Sequence, residues 1–245
     1  MLQSIASLAR TVIGPSRVAR IGRILKRYVL RPRLLYLLAG STTPVSNWHG
    51  FDRGTPIDRF YIDSFLTIYR SDIRGRCLEF LNANYCTRLA PPDAKIDVID
   101  IDRANPNANI YDDLRNAKSI EANTYDFILL TQVLQFIDDL DSAISECKRI
   151  LKPGGVALVT LPSLSRIDPI SGGTGDFWRF TVASAKYLFS RHFPAECIQV
   201  RSEGNIYGAM SFLAGFSVED VSLRKLAVAD PNFPTLITVR VVKPL

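Results

Sequence analysis

The sequence predicts a doubly wound α/β fold, a mostly parallel sheet covered by helices on both faces, with an antiparallel strand at its C-terminal end. Three observations carry that prediction. From Pro56 onward, short uninterrupted apolar runs alternate with segments whose apolar residues recur at helical spacing, the pattern of parallel strands buried on both faces. A sharp helix stop at Pro153, Gly154 and Gly155 precedes a strongly apolar run, because proline cannot continue the helical ladder and glycine accepts a left-handed turn. The composition, 47% apolar and 22% charged over 245 residues, is that of a globular chain. No segment reaches the roughly 18 to 20 uninterrupted apolar residues that a spanning helix needs, which argues against an integral membrane protein.

Taken in order, the chain divides into a basic N-terminal extension, 1–47, and a main domain, 48–245. Within residues 16–31, "SRVARIGRILKRYVLR", Val18, Ile21, Leu25 and Tyr28 fall at three- and four-residue steps with arginines on other faces, as in a basic amphipathic helix. Three readings stay open for it. Residues 16–36 suit contact with an anionic membrane surface, an organellar presequence, or a helix packed on the main domain. The opening "MLQSIASLAR" lacks the apolar core and cleavage site of a secretory signal, so a cytoplasmic location is expected, with a membrane-peripheral one beside it. Residues 40–56, rich in Gly, Pro, Ser and Thr, read as a linker or irregular lid.

In the main domain, "PIDRFYIDSFLTIYR" is a helix with Ile57, Phe60, Tyr61, Phe65 and Ile68 on its apolar stripe. "RCLEFL", "AKIDVIDI" and "YDFILL" are three strands, and "LDSAISECKRILK" is a helix whose stripe is Leu140, Ala143, Ile144, Cys147, Ile150 and Leu151. "VALVTLP" is the next strand, "ECIQVRSE" another, and Thr235 to Lys243 alternates like an edge or hairpin strand. Residues 204–230 read as a helical insertion. In such sheets ligands bind beyond the carboxyl ends of the strands, so chemistry is sought just after "CLEF", "KIDV" and "FILL".

Charge is concentrated at one end. The first 51 residues hold Arg10, Arg17, Arg20, Arg23, Lys26, Arg27, Arg31 and Arg33 and no acid, while all 24 acidic residues follow. The net charge of +6 therefore belongs to the extension, which argues against a nucleic-acid-binding surface on the main domain. Cys77, Cys86, Cys147 and Cys197 are widely spaced and only His49 and His192 accompany them, so neither a metal site nor a disulfide framework is expected, and a reducing compartment is the simplest reading.

The succession "CLEFL", "KIDVIDID", "YDDL" and "NTYDFILLTQVLQFIDDLDSAISECKRILKPGGVALVTLP" resembles the class I S-adenosylmethionine-dependent methyltransferases, in particular their type 11 group. The resemblance spans roughly Asp72 to Pro162 and is most specific from Tyr125 to Pro162. It implies a Rossmann-like methyltransferase sheet and S-adenosyl-L-methionine as cofactor. The flanks "FDRGTPIDRFYIDSFL" and "GDFWRFTVASAKYLF" look like a bacterial subgroup associated with glycosyltransferases and surface-polysaccharide assembly. That implies O-methylation of a saccharide, glycolipid or cell-envelope intermediate, with a glycosyltransferase as a possible partner.

Roles follow from that resemblance. A carboxylate after the second strand suits the ribose diol, with Asp97 and Asp100 both candidates, while Asp113 and Leu114 match the adenine turn. Glu79, Phe80, Leu81 and Asn82 form the turn expected to meet the methionine tail. Here the chain departs from the family, because Leu81 stands where a glycine usually permits close approach. A noncatalytic binding module with a degenerate cofactor loop is the second reading on that account. Thr131, Gln132 and Val133 are expected to line the cofactor and face the acceptor. Arg59 and Tyr61 are expected to close over the amino-acid tail, with Tyr61 as a core aromatic the competing reading. Candidate general bases are His49, Asp52, Asp58, Asp176 and His192, with His49 favoured because histidine titrates near neutrality. Residues 172–181, "GGTGDFWRFT", read as an acceptor loop offering Asp176, Trp178 and Arg179, or as one in which Trp178 anchors packing and Arg179 fixes a loop carbonyl.

Overall fold

A computed structural model describes residues 41–168 and 175–245. The amphipathic segment at 16–36 and the glycines Gly172 and Gly173 lie outside the described residues. Helix α1 (Ile57–Ile68) begins directly after Pro56 and leads to β1 (Arg76–Phe80), α2 (Asn84–Leu89), β2 (Lys95–Asp100), the short β3 (Ile110–Tyr111) and β4 (Tyr125–Thr131). Then come α3 (Leu140–Ile150), β5 (Leu151–Pro162), α4 (Val182–Ser190), β6 (Ile198–Glu203), α5 (Ile206–Leu213), α6 (Leu223–Leu226) and β7 (Leu236–Val242).

The strands form one sheet of seven in the order β3-β2-β1-β4-β5-β7-β6. The first five pair in parallel, and β7 runs antiparallel to both β5 and β6. Strand side chains alternate between two faces, and in the central strands both faces are apolar. Leu78, Ile128, Leu130 and Val159 meet α3 and α4 through Ile144, Cys147, Ala185 and Phe189. Cys77, Phe127, Leu129 and Leu158 face α1, whose Ile57, Ile62, Phe65 and Leu66 are buried against them. Continuous apolar runs are what such double coverage requires.

Two boundaries differ from the sequence expectation. Strand β5 starts at Leu151, ahead of the Pro-Gly-Gly stop, because Leu151 pairs with Tyr125 and Val156 with Phe127, so Lys152 to Gly155 bulge opposite a single residue of β4. Gly154 supplies the positive φ of 76° this bulge needs, and its N–H donates to Lys243 O at 2.8 Å. Strand β7 is neither an edge nor half of a tight hairpin: it lies inside the sheet, almost wholly buried, and β6 is the edge. The connection between them carries α5 and α6, the helical insertion expected at 204–230. No helix among the described residues is long and apolar enough to cross a membrane.

Candidate functional site

Two cavities open over the carboxyl ends of the parallel strands. The first, about 370 Å³, is walled by Phe80, Asp100 and Ile101 at the ends of β1 and β2, by Asp113 and Leu114 after β3, and by Val133, Ile137 and Phe177. It is an apolar slot with carboxylates at its edge. The second, about 470 Å³, is lined by Trp48, His49, Asp58, Arg59, Thr131, Gln135, Arg166, Asp168, Asp176 and Phe212. Leu81, Gln132 and Phe136 border both cavities.

Backbone strain concentrates at this junction. Among the described residues four non-glycines take positive φ, and three of them line the cavities: His49 at 53°, Leu81 at 66° and Gln132 at 55°. Such conformations cost about 1 to 3 kcal/mol each and persist where surrounding structure enforces them. Leu81 thus follows the left-handed path that glycine favours. Its N–H donates to Ile99 O at 3.1 Å, its carbonyl accepts from Asn105 Nδ2 at 2.7 Å, and its side chain is 55% exposed. The same Asn105 amide donates to Asp100 Oδ2 at 2.6 Å, so one side chain ties the β1 turn to the carboxylate ending β2. The other Asp100 oxygen accepts from Asp102 N at 3.0 Å. At Gln132 the strained turn is held by its N–H, which donates to Thr160 O at 3.1 Å.

The second cavity is walled mostly by apolar surface, but three of its lining residues carry a polar atom without a partner. Among the described residues, Asp58 Oδ1, Gln135 Oε1 and Arg166 Nη1 are buried without a hydrogen bond, and all three residues line this cavity. Unsatisfied buried polar atoms cost about 1 to 3 kcal/mol each, and three of the residues that carry them stand on the wall of this one cavity. His49 stacks on Phe212 with centroids 5.8 Å apart. Burial, followed by the charge of Arg166, lowers the His49 pKa below its ordinary value, with Asp58 and Asp168 opposing and Arg59 reinforcing the shift. Arg59 Nη1 donates to Tyr85 Oη at 3.2 Å. Asp176 receives Arg179 Nη1 at 2.5 Å, Arg179 Nη2 at 2.8 Å and Asp168 N at 2.9 Å, and the arginine holds its carboxyl below the usual range.

His49, Asp58 and Asp176 therefore meet in one cavity with Arg59, Thr131, Gln132 and Leu81. Phe80, Asp100, Asp113, Leu114 and Val133 meet in the other. Of the two acids on β2, only Asp100 reaches the cavities. Asp97 is taken up by Arg76 Nε at 2.8 Å, Asn109 Nδ2 at 2.8 Å and Tyr125 Oη at 3.1 Å. Three further residues, Glu79, Asn82 and Tyr61, are not among those lining either cavity. Glu79, 1% exposed, accepts from the backbone N–H groups of Tyr85 at 3.1 Å and Cys86 at 2.7 Å, so it satisfies the start of α2. Asn82 Oδ1 accepts from Asn84 N at 3.1 Å. Tyr61 is a core aromatic whose hydroxyl donates to Leu226 O at 3.2 Å, with burial pushing its pKa up to about 12.

Neither other candidate base lines the cavities: Asp52 accepts from Ser46 Oγ, and His192 Nε2 lies 2.6 Å from Asp141 Oδ1. Arg179 Nη2 donates to Arg166 O at 2.9 Å, the loop-carbonyl alternative for that residue, whereas Trp178 is 40% exposed, with its Nε1 donating to Ile137 O at 2.9 Å. Sequence reasoning missed Gln135, Arg166 and Asn105. The only signal for Arg166 is its place just beyond β5, at the same end of the sheet as the other sites.

Comparison with known proteins supports the architecture. Residues 83–159 match a family model described as a methyltransferase domain. No curated protein matches the chain in sequence. Among solved structures, a SAM-dependent methyltransferase from Archaeoglobus fulgidus aligns with a TM-score of 0.52 and 14% identity, covering 76% of this chain and 94% of that one. Phosphoethanolamine N-methyltransferase 2 from Haemonchus contortus, solved in complex with S-adenosyl-L-methionine, aligns with a TM-score of 0.52 and 13% identity, covering 98% of this chain and 60% of that one. The fold is the Rossmann-like methyltransferase fold.

Proposed function

We propose that this chain transfers the methyl group of S-adenosyl-L-methionine to a hydroxyl of a saccharide, glycolipid or related cell-envelope intermediate. The domain match and the shared fold point to that cofactor. The single observation that carries the reading is the junction itself: a slot edged by Asp100 meets, at Leu81 and Gln132, a second cavity whose wall carries His49, Asp58, Arg59 and Arg166.

The residues present fit the cofactor. Asp100 offers a carboxylate to a ribose diol, Leu114, Ile101 and Val133 offer a slot for adenine, and Arg59 offers a cation to the amino-acid carboxylate. When bound, the cofactor supplies a methyl group activated by a positive sulfur. The chain's own part is to orient the acceptor and take up its proton. His49 is the base, and burial, followed by the charge of Arg166, lowers its pKa and so favours the neutral imidazole that can take the proton. Asp58 and Gln135 accept hydrogen bonds from acceptor hydroxyls. Asp176, spoken for by Arg179 and the Asp168 backbone, positions the cavity wall and does not take the proton.

The resemblance of the flanks to envelope-associated enzymes supports a saccharide acceptor and a glycosyltransferase as partner, and the basic stretch 16–36 supports contact with an anionic membrane surface. Leu81 favours one competing reading, a noncatalytic binding module, because its side chain stands on the wall between the cavities.

Transfer of radiolabel from S-adenosyl-L-methionine to a panel of mono- and oligosaccharides tests the reading. His49→Gln is expected to lower kcat by about 10²- to 10⁴-fold with cofactor affinity retained. In the natural protein kcat/KM should rise with pH through a midpoint below the ordinary histidine value of 6.5. Methylation of amines with none of hydroxyls, or full activity in His49→Gln, would contradict it.

A further inference from the structure

We infer that Arg166 makes the second cavity selective for an acceptor that carries an anion, a phosphate or a carboxylate, beside the hydroxyl to be methylated. The inference rests on the methyl-transfer reading, in which Arg59 is committed to the cofactor's carboxylate.

Arg166 sits just past β5, and its backbone is fixed: its carbonyl accepts from Arg179 Nη2 at 2.9 Å and from Ser165 Oγ at 2.7 Å. Its Nε donates to Ile167 O at 3.3 Å, which aims the guanidinium, while Nη1 is buried with no partner among the described residues. A guanidinium is a permanent cation with a planar fork of donors, suited to the paired oxygens of a carboxylate or phosphate. Burying one of those donors unpaired is costly unless a ligand completes it.

Asp58, Arg59, Asp168 and Asp176 share the cavity with Arg166 and His49. Asp176 is answered by Arg179. Arg166 and His49 line the same cavity, and the charge of Arg166 is among the causes that lower the imidazole's pKa. Gln135 Oε1, also buried without a hydrogen bond, supplies an acceptor for a hydroxyl at the same wall. An acceptor bearing an anion and a neighbouring hydroxyl answers both groups at once, whereas a neutral sugar offers the guanidinium only an uncharged oxygen, a weaker hydrogen bond than a charge-assisted one. Discrimination built on an unpaired buried donor is typically stronger than discrimination by shape.

The probes are inorganic phosphate and acetate, added to the full-length protein saturated with S-adenosylhomocysteine, with the His49 ring followed by NMR across pH. Phosphate is expected to raise the His49 pKa, because it places a negative charge beside the imidazolium, and a response to acetate would identify carboxylate as the better ligand. Arg166→Gln should abolish the response while leaving S-adenosylhomocysteine affinity within about twofold, and Arg166→Lys should retain a weaker response. An equal response in Arg166→Gln, no response to either anion, or a loss of about tenfold or more in S-adenosylhomocysteine affinity would overturn the inference. A protein that bound no S-adenosylhomocysteine yet kept the Arg166-dependent response would sink the methyl-transfer reading alone.

Discussion

At Leu81 a bulky side chain occupies a backbone conformation suited to glycine, with φ 66°. The hydrogen bonds to Ile99 and Asn105 hold the turn in place, so the substitution costs strain and leaves the path of the loop intact. Leu81→Gly relieves strain of about 1 to 3 kcal/mol, partly offset by about 0.4 to 1 kcal/mol of extra unfolded-state entropy. The expected outcome is a slightly higher melting temperature, with cofactor affinity equal to or tighter than that of the natural protein by calorimetry. Affinity appearing only in Leu81→Gly would favour the noncatalytic reading. His49 adds a pH signature at the same scale. Its folded pKa is depressed, so the unfolded chain binds the proton more readily, and its contribution to stability is full above 6.5 and is lost as pH falls toward the folded value.

At the scale of elements, chemistry is decided by which end of a strand a side chain occupies. Asp97 and Asp100 belong to one strand, yet Asp97 is bound by Arg76, Asn109 and Tyr125 while Asp100, at the strand's last position, borders the slot. Sequence reading left that pair undecided because the strand's end is not marked by any change in polarity. Glu79 shows the converse, an acid at the right strand end whose carboxylate turns back to the start of α2. Glu79→Ala is expected to destabilise the fold by about 2 to 3 kcal/mol in a denaturant melt, through two lost charge-assisted hydrogen bonds, while changing cofactor affinity less than Asp100→Ala does. The six longer strands and the helices α1 and α3 were legible, since burial on both sheet faces imposes continuous apolar runs and a 3.6-residue period, while α2, α4 and the two-residue β3 are too short or too weakly patterned to have been named. Gln135, Arg166 and Asn105 were not legible, because loop positions carry no periodic constraint and their roles depend on what the fold brings near them.

Over the whole molecule, the second cavity is assembled from stretches far apart in sequence, and their docking explains why residues 41–56 are not the loose linker their composition suggests. Val45 N donates to Ala214 O at 2.7 Å, and a Cβ at Gly50 would lie 2.6 Å from Phe216 O. Arg53 meets Asp220 through two hydrogen bonds of 2.7 and 2.9 Å, with their side chains 4% and 7% exposed. Removing one partner from a buried pair of this kind typically costs about 3 to 5 kcal/mol, so the segment bearing Trp48 and His49 is a fixed wall. A fixed wall facing a preformed slot is the arrangement expected of a cofactor-dependent transferase, and cofactor binding is therefore the central claim. Calorimetric titration of S-adenosyl-L-methionine and S-adenosylhomocysteine into the folded full-length protein tests it most directly. Binding of both ligands is predicted, weakened at least about tenfold by Asp100→Ala, with about 2.7 kcal/mol of added stability at 100 times the dissociation constant. A folded protein that binds neither ligand would contradict the account.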